Sequence, residues 1–259
     1  MIKTTVGGLL LAWISLVVTL LLDGADFGSF FALAPAILVF GGTIGATLVG
    51  FSMEDIKGLP AKMKMAFRSK PYDYESLVQQ ILGFAAVSRR DGILALEAEI
   101  DKLDEEFLKK ALQMAVDGVD HERLRDTMET DLQYLHHWHK GGEEIMKQMG
   151  GFAPTLGIIG TVLGLIMMLS ELEDAESMGP AIASAFIATM YGIALANMIC
   201  LPLANKLKTV AASDILEKRI ALEGVLCIVN GMSPRVIEQS LLSYLYPETK
   251  GLPSSEAKT

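Results

Sequence analysis

Residues 152–205 read FAPTLGIIGTVLGLIMMLS, ELEDAE, SMGPAIASAFIATMYGIALANMICLPLAN: two long uncharged runs, Phe152–Ser170 and Ser177–Asn205, parted by the acidic loop Glu171–Glu176. A helix needs about 20 apolar residues to cross the roughly 30 Å hydrocarbon core of a bilayer, and both runs supply them. Gly, Ala, Thr and Pro recur in each, and neither contains a carboxylate or an amine. That composition suits helices that pack closely and let something small pass, with any charged binding group supplied by another chain.

Two further windows of the same kind, Thr4–Leu22 and Phe27–Met53, precede them in a chain of 259 residues that is 51% hydrophobic. A soluble enzyme is excluded as a first reading. Lys3 followed by an apolar stretch has the look of a secretory signal, but the stretch is long and no small-x-small cleavage site precedes Asp23, so a retained span is expected. The reading is an all-α membrane protein with four transmembrane helices. A large helical cytoplasmic domain lies between the second and third, and a C-terminal cytoplasmic helix follows the fourth.

The expected divisions are a first hairpin at 1–53, with spans about 4–22 and 33–51, and a cytoplasmic domain at 54–151. A channel-forming hairpin at 152–205, cytoplasmic helices at 206–247 and a disordered tail at 248–259 complete the chain. Of the 22 Lys and Arg, none falls in the connections Asp23–Asp26 and Glu171–Glu176. Positive charge stays inside, which puts both termini and the central region in the cytoplasm. The two acidic connections carry six carboxylates. They either raise the local cation concentration at a mouth or are simply solvated turns. The net charge of −9 without a basic stripe gives no reason to expect nucleic acid.

Between the middle spans, Tyr74–Val87 and Ile93–Val116 place apolar residues three and four apart, and Thr127–Met149 resumes that pattern despite Gly141-Gly142 and Gly150-Gly151. Beyond Asn205 the fourth span continues as an amphipathic helix, and a short helix follows Ser233-Pro234. Cys200 and Cys227 are not expected to pair. His136, His137 and His139 read as an exposed cluster in preference to a metal site, since no His-Glu-x-x-His motif is present. Neither a phosphate loop nor a nucleophile elbow occurs, so an enzyme is not expected.

In the third span Pro154, Gly157, Thr161, Gly164 and Met168 share one helical face, and in the fourth Ala181, Ala185, Thr189, Gly192 and Ala196 do the same. Close helix packing accounts for most of the Gly and Ala. Thr161 and Thr189 are either hydroxyls bonded back to their own helices or oxygen ligands for a partly dehydrated cation. Pro154 and Pro202 mark the cytoplasmic ends of these spans, as a first-turn proline and a tolerated kink or as points that couple motion to ion passage. In the cytoplasmic segment Ser88–Glu97, SRRDGILALE, basic residues stand before a glycine break and an acid after it. Such charges either solvate a face or form a complementary docking surface.

Six blocks carry a family resemblance: SRRDGILALE, MAVDG, GGFAPTLGIIGTVLGLI, FIATMYGIALAN, LPLANKLK and SPRVIEQSLLSYL. In that order around four spans, they are similar to the MotA/TolQ/ExbB group, and within it to the MotA-type channel subunits of bacterial flagellar stators. The resemblance extends from the first span to about Tyr246. It implies a pentamer of this chain around a MotB dimer whose single membrane Asp receives the ion, with flow turning the ring and driving the rotor protein FliG. By the family's spacing, Arg89 and Glu97, with Arg90 adjacent, fall at the rotor interface, and the two coupling prolines fall on Pro154 and Pro202. Thr155, Thr161, Ala188, Thr189 and Tyr191 fall along the ion pathway.

Thr161 and Tyr191, with Asn197 behind them, resemble sodium-type stators, whereas Ala188 stands where sodium-type members usually carry a second Thr and so resembles proton-driven ones. The balance favours sodium or another metal cation over protons, and no cofactor is implied. A TolQ/ExbB-like energiser of an envelope process is the alternative, though those relatives usually have three spans. A solute transporter would need more spans and internal repeats.

Overall fold

A computed structural model describes residues 2–24, 27–68, 72–170 and 175–245. Parts of both acidic connections (25–26 and 171–174) and the tail 248–259 lie outside the described residues. Among the described residues every regular element is helical. The chain divides into two compact units, one made of Met1–Lys70 with Trp138–Val210 and the other of Pro71–His137 with Ala211–Thr259.

The first unit opens with α1 (Ile2–Leu22). After a 3₁₀ turn, Phe27–Phe30, comes a run of α2 (Leu33–Ala36), a π-helical turn Ile37–Gly41, and α3 (Gly42–Gly50). Pro35 stands in the first turn of that run, where its missing N–H leaves no bond unmade. Ser52 then starts α4 (Met53–Arg68): its hydroxyl accepts from the Asp55 amide at 3.2 Å and donates to the Asp55 carboxylate at 2.6 Å.

The second unit holds α5 (Tyr74–Asp91), a 3₁₀ turn Ile93–Leu96, α6 (Glu97–Ile100) and α7 (Glu106–Val116). Asp73 caps α5 by accepting from the Ser76 amide at 3.0 Å. Gly92, at φ 87°, ends it in a conformation that side-chain-bearing residues avoid. The apolar period of Ile93–Val116 therefore does not yield the helical stretch expected from the pattern. Gly92 restarts the chain as a 3₁₀ turn, and α7 begins afresh where Glu105 accepts from the Leu108 amide. Period alone does not report such interruptions.

Helix α8 (His121–Ser170) is 50 residues long, and its residues divide between the units at His137/Trp138. Gly141, Gly142 and Gly150 do not break it, because each marks a close contact. A Cβ at Gly142 would lie 2.9 Å from the Lys62 Cδ, and one at Gly150 would lie 2.7 Å from a Leu201 methyl. Helix α9 (Ala175–Ala194) passes through a π-helical turn, Leu195–Cys200, into α10 (Leu201–Val229), and α11 (Pro234–Leu245) closes the described chain. Four helical stretches are long and apolar enough to cross a membrane: Thr4–Leu22, Phe27–Gly50, His121–Ser170 and Met178–Val229.

The second unit has its own core, in which Ile81, Leu96, Ile100, Leu112, Leu124, Met128, Ile220 and Leu241 are fully or almost fully buried. Truncating any of these to Ala costs about 2–5 kcal/mol by lost transfer energy plus the cavity left behind. In the first unit, Val39, Met146, Ala153, Leu195, Ala196 and Cys200 form a smaller buried cluster.

One expectation about the histidines is corrected. His136 and His137 are exposed, but His139 is only 6% exposed, its ring edge-on to Trp138 at 5.1 Å between centroids. Spacing does not separate His136 from His139, which stand one turn apart on one face of α8. They differ in surroundings, since His136 belongs to the second unit and His139 to the first, where its ring packs on Trp138.

Candidate functional site in the α8–α9 seam

The faces singled out in the third and fourth spans lie against each other. Along α8, Gly157, Gly160 and Gly164 face Ala188–Thr189, Ala188 and Ala185 of α9 so closely that no side chain fits at any of them. A Cβ at Gly157 would lie 2.9 Å from the Ala188 carbonyl oxygen, one at Gly160 2.5 Å from the Ala188 methyl, and one at Gly164 2.7 Å from that of Ala185. From the other side, a Cβ at Gly192 would lie 2.5 Å from the Ala153 carbonyl oxygen and 3.1 Å from the Pro154 Cα. Small residues spaced three and four apart let backbones meet in this way, gaining dispersion contacts that lipid tails could not match.

Two hydroxyls are set into this seam. Thr161 Oγ1 and Thr189 Oγ1 contact each other, both half-buried. Thr161 Oγ1 also lies 3.1 Å from the Gly157 carbonyl oxygen and 3.2 Å from that of Ala185, and Thr189 Oγ1 lies 3.4 Å from Gly157's. Two hydroxyls bring two protons and four lone pairs. When one donates to a carbonyl and the other donates to its neighbour, three lone pairs stay unused. The pair is an oxygen cluster with acceptor capacity to spare, on helices that carry no carboxylate or amine between Phe152 and Ser170 or between Ser177 and Asn205.

The other residues assigned to the pathway fall elsewhere. Ala188 is fully buried against Gly160, so it serves the packing of the seam. Tyr191, two residues beyond Thr189, points away from the pair. Its hydroxyl donates to the Phe30 carbonyl at 2.5 Å and accepts from the Ala32 amide at 3.2 Å, while its ring packs on Phe40 at 5.9 Å. It pins the start of α2 to α9. Thr155 is exposed and donates to the Phe152 carbonyl at 2.7 Å. Pro154 sits in the seam opposite Gly192, whereas Pro202 is exposed just after the π-helical turn Leu195–Cys200. Within that turn Asn197 Nδ2 donates to the Ile193 carbonyl at 3.1 Å. A π turn beside a proline widens the ladder where a donor is missing.

Sequence reasoning missed both π turns and the buried hydroxyls of the second span. Thr43 and Thr47 are 0% and 5% exposed and donate to the carbonyls four residues back at 2.5 and 2.7 Å. Spacing gave a usable signal for the threonines, one turn apart on one face. Lys62 was missed as well: it is 3% exposed, with its ammonium 5.2 Å from the centre of the Trp138 ring. The signal was the Gly141-Gly142 pair, which leaves room for its stem.

In the second unit, Arg89, Arg90 and Glu97 are all exposed, the arginines ending α5 and Glu97 starting α6. Arg90 pairs with Asp91 at 2.7 Å, which raises the arginine's pKa and lowers that of the carboxyl. Among the described residues Arg89 and Glu97 make no ion pair. Elsewhere in the same unit, Lys218 bonds Asp214 at 2.8 Å and lies 3.6 Å from Glu105. Burial opposes its charge, but the bond to Asp214 and the surrounding carboxylates outweigh that and hold its pKa above the ordinary lysine value. No three His, Cys, Asp or Glu side chains converge as a metal site among the described residues.

Residues 99–220 match the MotA/TolQ/ExbB proton channel family. The chain is 38% identical to Motility protein A of Bacillus subtilis, over 94% of this chain and 90% of that one. It is 32% identical to Chemotaxis protein PomA of Vibrio alginolyticus, over 95% and 97%. Among solved structures it is similar to the flagellar MotAB stator complex from Bacillus subtilis, with a TM-score of 0.87, 37% identity, and coverage of 96% of this chain and 98% of that one. It also resembles C. jejuni MotAB, with a TM-score of 0.88, 29% identity, and coverage of 98% and 100%. The chain belongs to the MotA/TolQ/ExbB proton channel family.

Proposed function

We propose that the chain is the ion-conducting stator subunit of a bacterial flagellar motor, coupling cation flow to torque. The observation that carries this reading is the Thr161–Thr189 hydroxyl pair, set in a close-packed hairpin with no carboxylate or amine of its own. A cation in low-dielectric surroundings requires a counter-charge, so the carboxylate is the membrane Asp of a MotB-type partner. The chain supplies oxygen ligands and walls, and the partner supplies the charge.

Four spans cross the inner membrane with both termini inside, and residues 54–151 and 206–247 stand in the cytoplasm, because every Lys and Arg then lies on that side. Five copies surround a MotB dimer. Pro154, beside Gly192 in the seam, and Pro202, at the end of the π turn, are where movement of the hairpin joins ion passage. Arg89 and Glu97, exposed and unpaired within the described residues, contact the rotor protein FliG. Arg90 is already compensated by Asp91 and contributes less.

The conducted ion is sodium or another metal cation, since the paired hydroxyls offer spare lone pairs to a desolvated ion. Swimming of a stator-null strain expressing this chain with its partner tests both parts. Motility that falls when sodium is replaced by potassium is expected. Loss only on collapse of the proton gradient would assign protons, and no rescue in any medium would remove the stator reading.

A further inference from the structure

Between α1 and the stretch from the π turn into α10 the first unit holds a cavity of about 400 Å³, bordered by Thr4, Thr5, Gly8, Leu9, Ala12, Asn197, Met198, Pro202, Leu203 and Lys206. Its lining changes character along its length. Thr4 to Ala12 covers about 12 Å of α1 and Asn197 to Lys206 about 13 Å of the facing helix, at roughly 1.5 Å per residue. In the topology proposed above the two helices run antiparallel, so Thr4, Thr5 and Lys206 gather at the cytoplasmic end. Leu9, Ala12 and Met198 lie toward the middle of the bilayer. Lys206 makes no ion pair or hydrogen bond with the described residues, and a Cβ at Gly8 would meet nothing within 4 Å.

We infer that this cavity is a binding site for an anionic phospholipid of the cytoplasmic leaflet. The Lys206 ammonium takes the phosphate at the end of the cavity bordered by Thr4 and Thr5, and one acyl chain lies along Gly8, Leu9 and Ala12. A basic group between spanning helices at headgroup depth attracts anionic lipid, and an apolar groove below it retains the chain. Free phosphate would satisfy only the upper end. Pro202 borders the same cavity one turn before Lys206, so the occupant touches the end of the π turn. The inference rests on the membrane topology of the proposed function.

The complex of this chain with its partner, purified from membranes, is mixed with phosphatidylglycerol or phosphatidylcholine vesicles or with inorganic phosphate, and bound lipid is counted by native mass spectrometry. Phosphatidylglycerol is expected to be retained over phosphatidylcholine. Retention falls roughly fivefold or more in Lys206→Gln and is unchanged in Lys208→Gln, an exposed neighbour. Gly8→Leu, which fills the acyl end and leaves the charge in place, also loses it. Equal retention by wild type and Lys206→Gln, equal binding of the two lipids, or full competition by inorganic phosphate would overturn the inference. Carbonate extraction separates the two readings: a chain released from the membrane fails the topology, whereas a chain that stays while lipid binding is unaltered fails the lipid site alone.

Discussion

Thr161 of α8 and Thr189 of α9, 28 residues apart in sequence, place their hydroxyls in contact across the seam, with the Gly157 carbonyl within reach of both. The contact exists because the helices touch backbone to backbone on either side of it, at Gly157 and Gly160 below and Gly164 above.

The seam has little tolerance. Gly192→Ala would put a methyl 2.5 Å from the Ala153 carbonyl oxygen, a backbone atom that cannot turn aside. Overpacking of this kind costs about 1–3 kcal/mol and spreads the two helices. Gly151→Ala, where a Cβ meets nothing within 4 Å, is neutral or stabilising by up to about 1 kcal/mol. Thermal stability of the purified complex should fall for the first and not for the second, with motility following the same order.

At the cytoplasmic surface the two arginines differ. Arg89→Glu and Glu97→Lys each reverse an uncompensated charge and should lower stall torque at least severalfold, with membrane levels unchanged on immunoblot. Arg90→Ala, which only frees Asp91, should have a smaller effect. Equal loss from all three would mean that the Arg90–Asp91 pair opens at the rotor.

Lys218→Gln removes the hydrogen-bonded ion pair with Asp214 and the positive charge beside Glu105. Charged hydrogen bonds of this kind contribute about 2 kcal/mol, so amide exchange in α7 and the adjoining part of α10 should accelerate by roughly 30-fold near neutral pH. Since the Lys218 pKa is raised in the folded state, its contribution is full below the ordinary lysine value. It is lost as pH climbs through the raised value. The wild type should therefore approach the variant only in strongly alkaline buffer.

The four long apolar helices and their small-residue faces were legible because hydropathy and helical spacing are local properties, and Thr161 and Thr189 were found by the same rule. Tyr191 shows where that rule stops. Lying two residues from Thr189 on the opposite side of α9, its hydroxyl is claimed by the backbone at Phe30 and Ala32, 159 and more residues away. Nothing local in the sequence reveals such a partner. The buried Lys62 was hidden for the same reason: its stem lies against glycines of another helix, and those glycines read as helix weakeners. The π turn Leu195–Cys200 depends on how a ladder shifts near Pro202, which residue type alone does not set.

The central claim is that the paired hydroxyls of Thr161 and Thr189 coordinate the passing cation. The measurement is the rotation speed of a bead on a single motor driven by stators carrying Thr161→Val and Thr189→Val together, which keep the volume and remove both oxygens. Assembly with the partner is checked by co-purification. The account predicts at least a tenfold loss of speed with assembly intact. Wild-type speed from the doubly substituted stator, at the same sodium concentration, would contradict it.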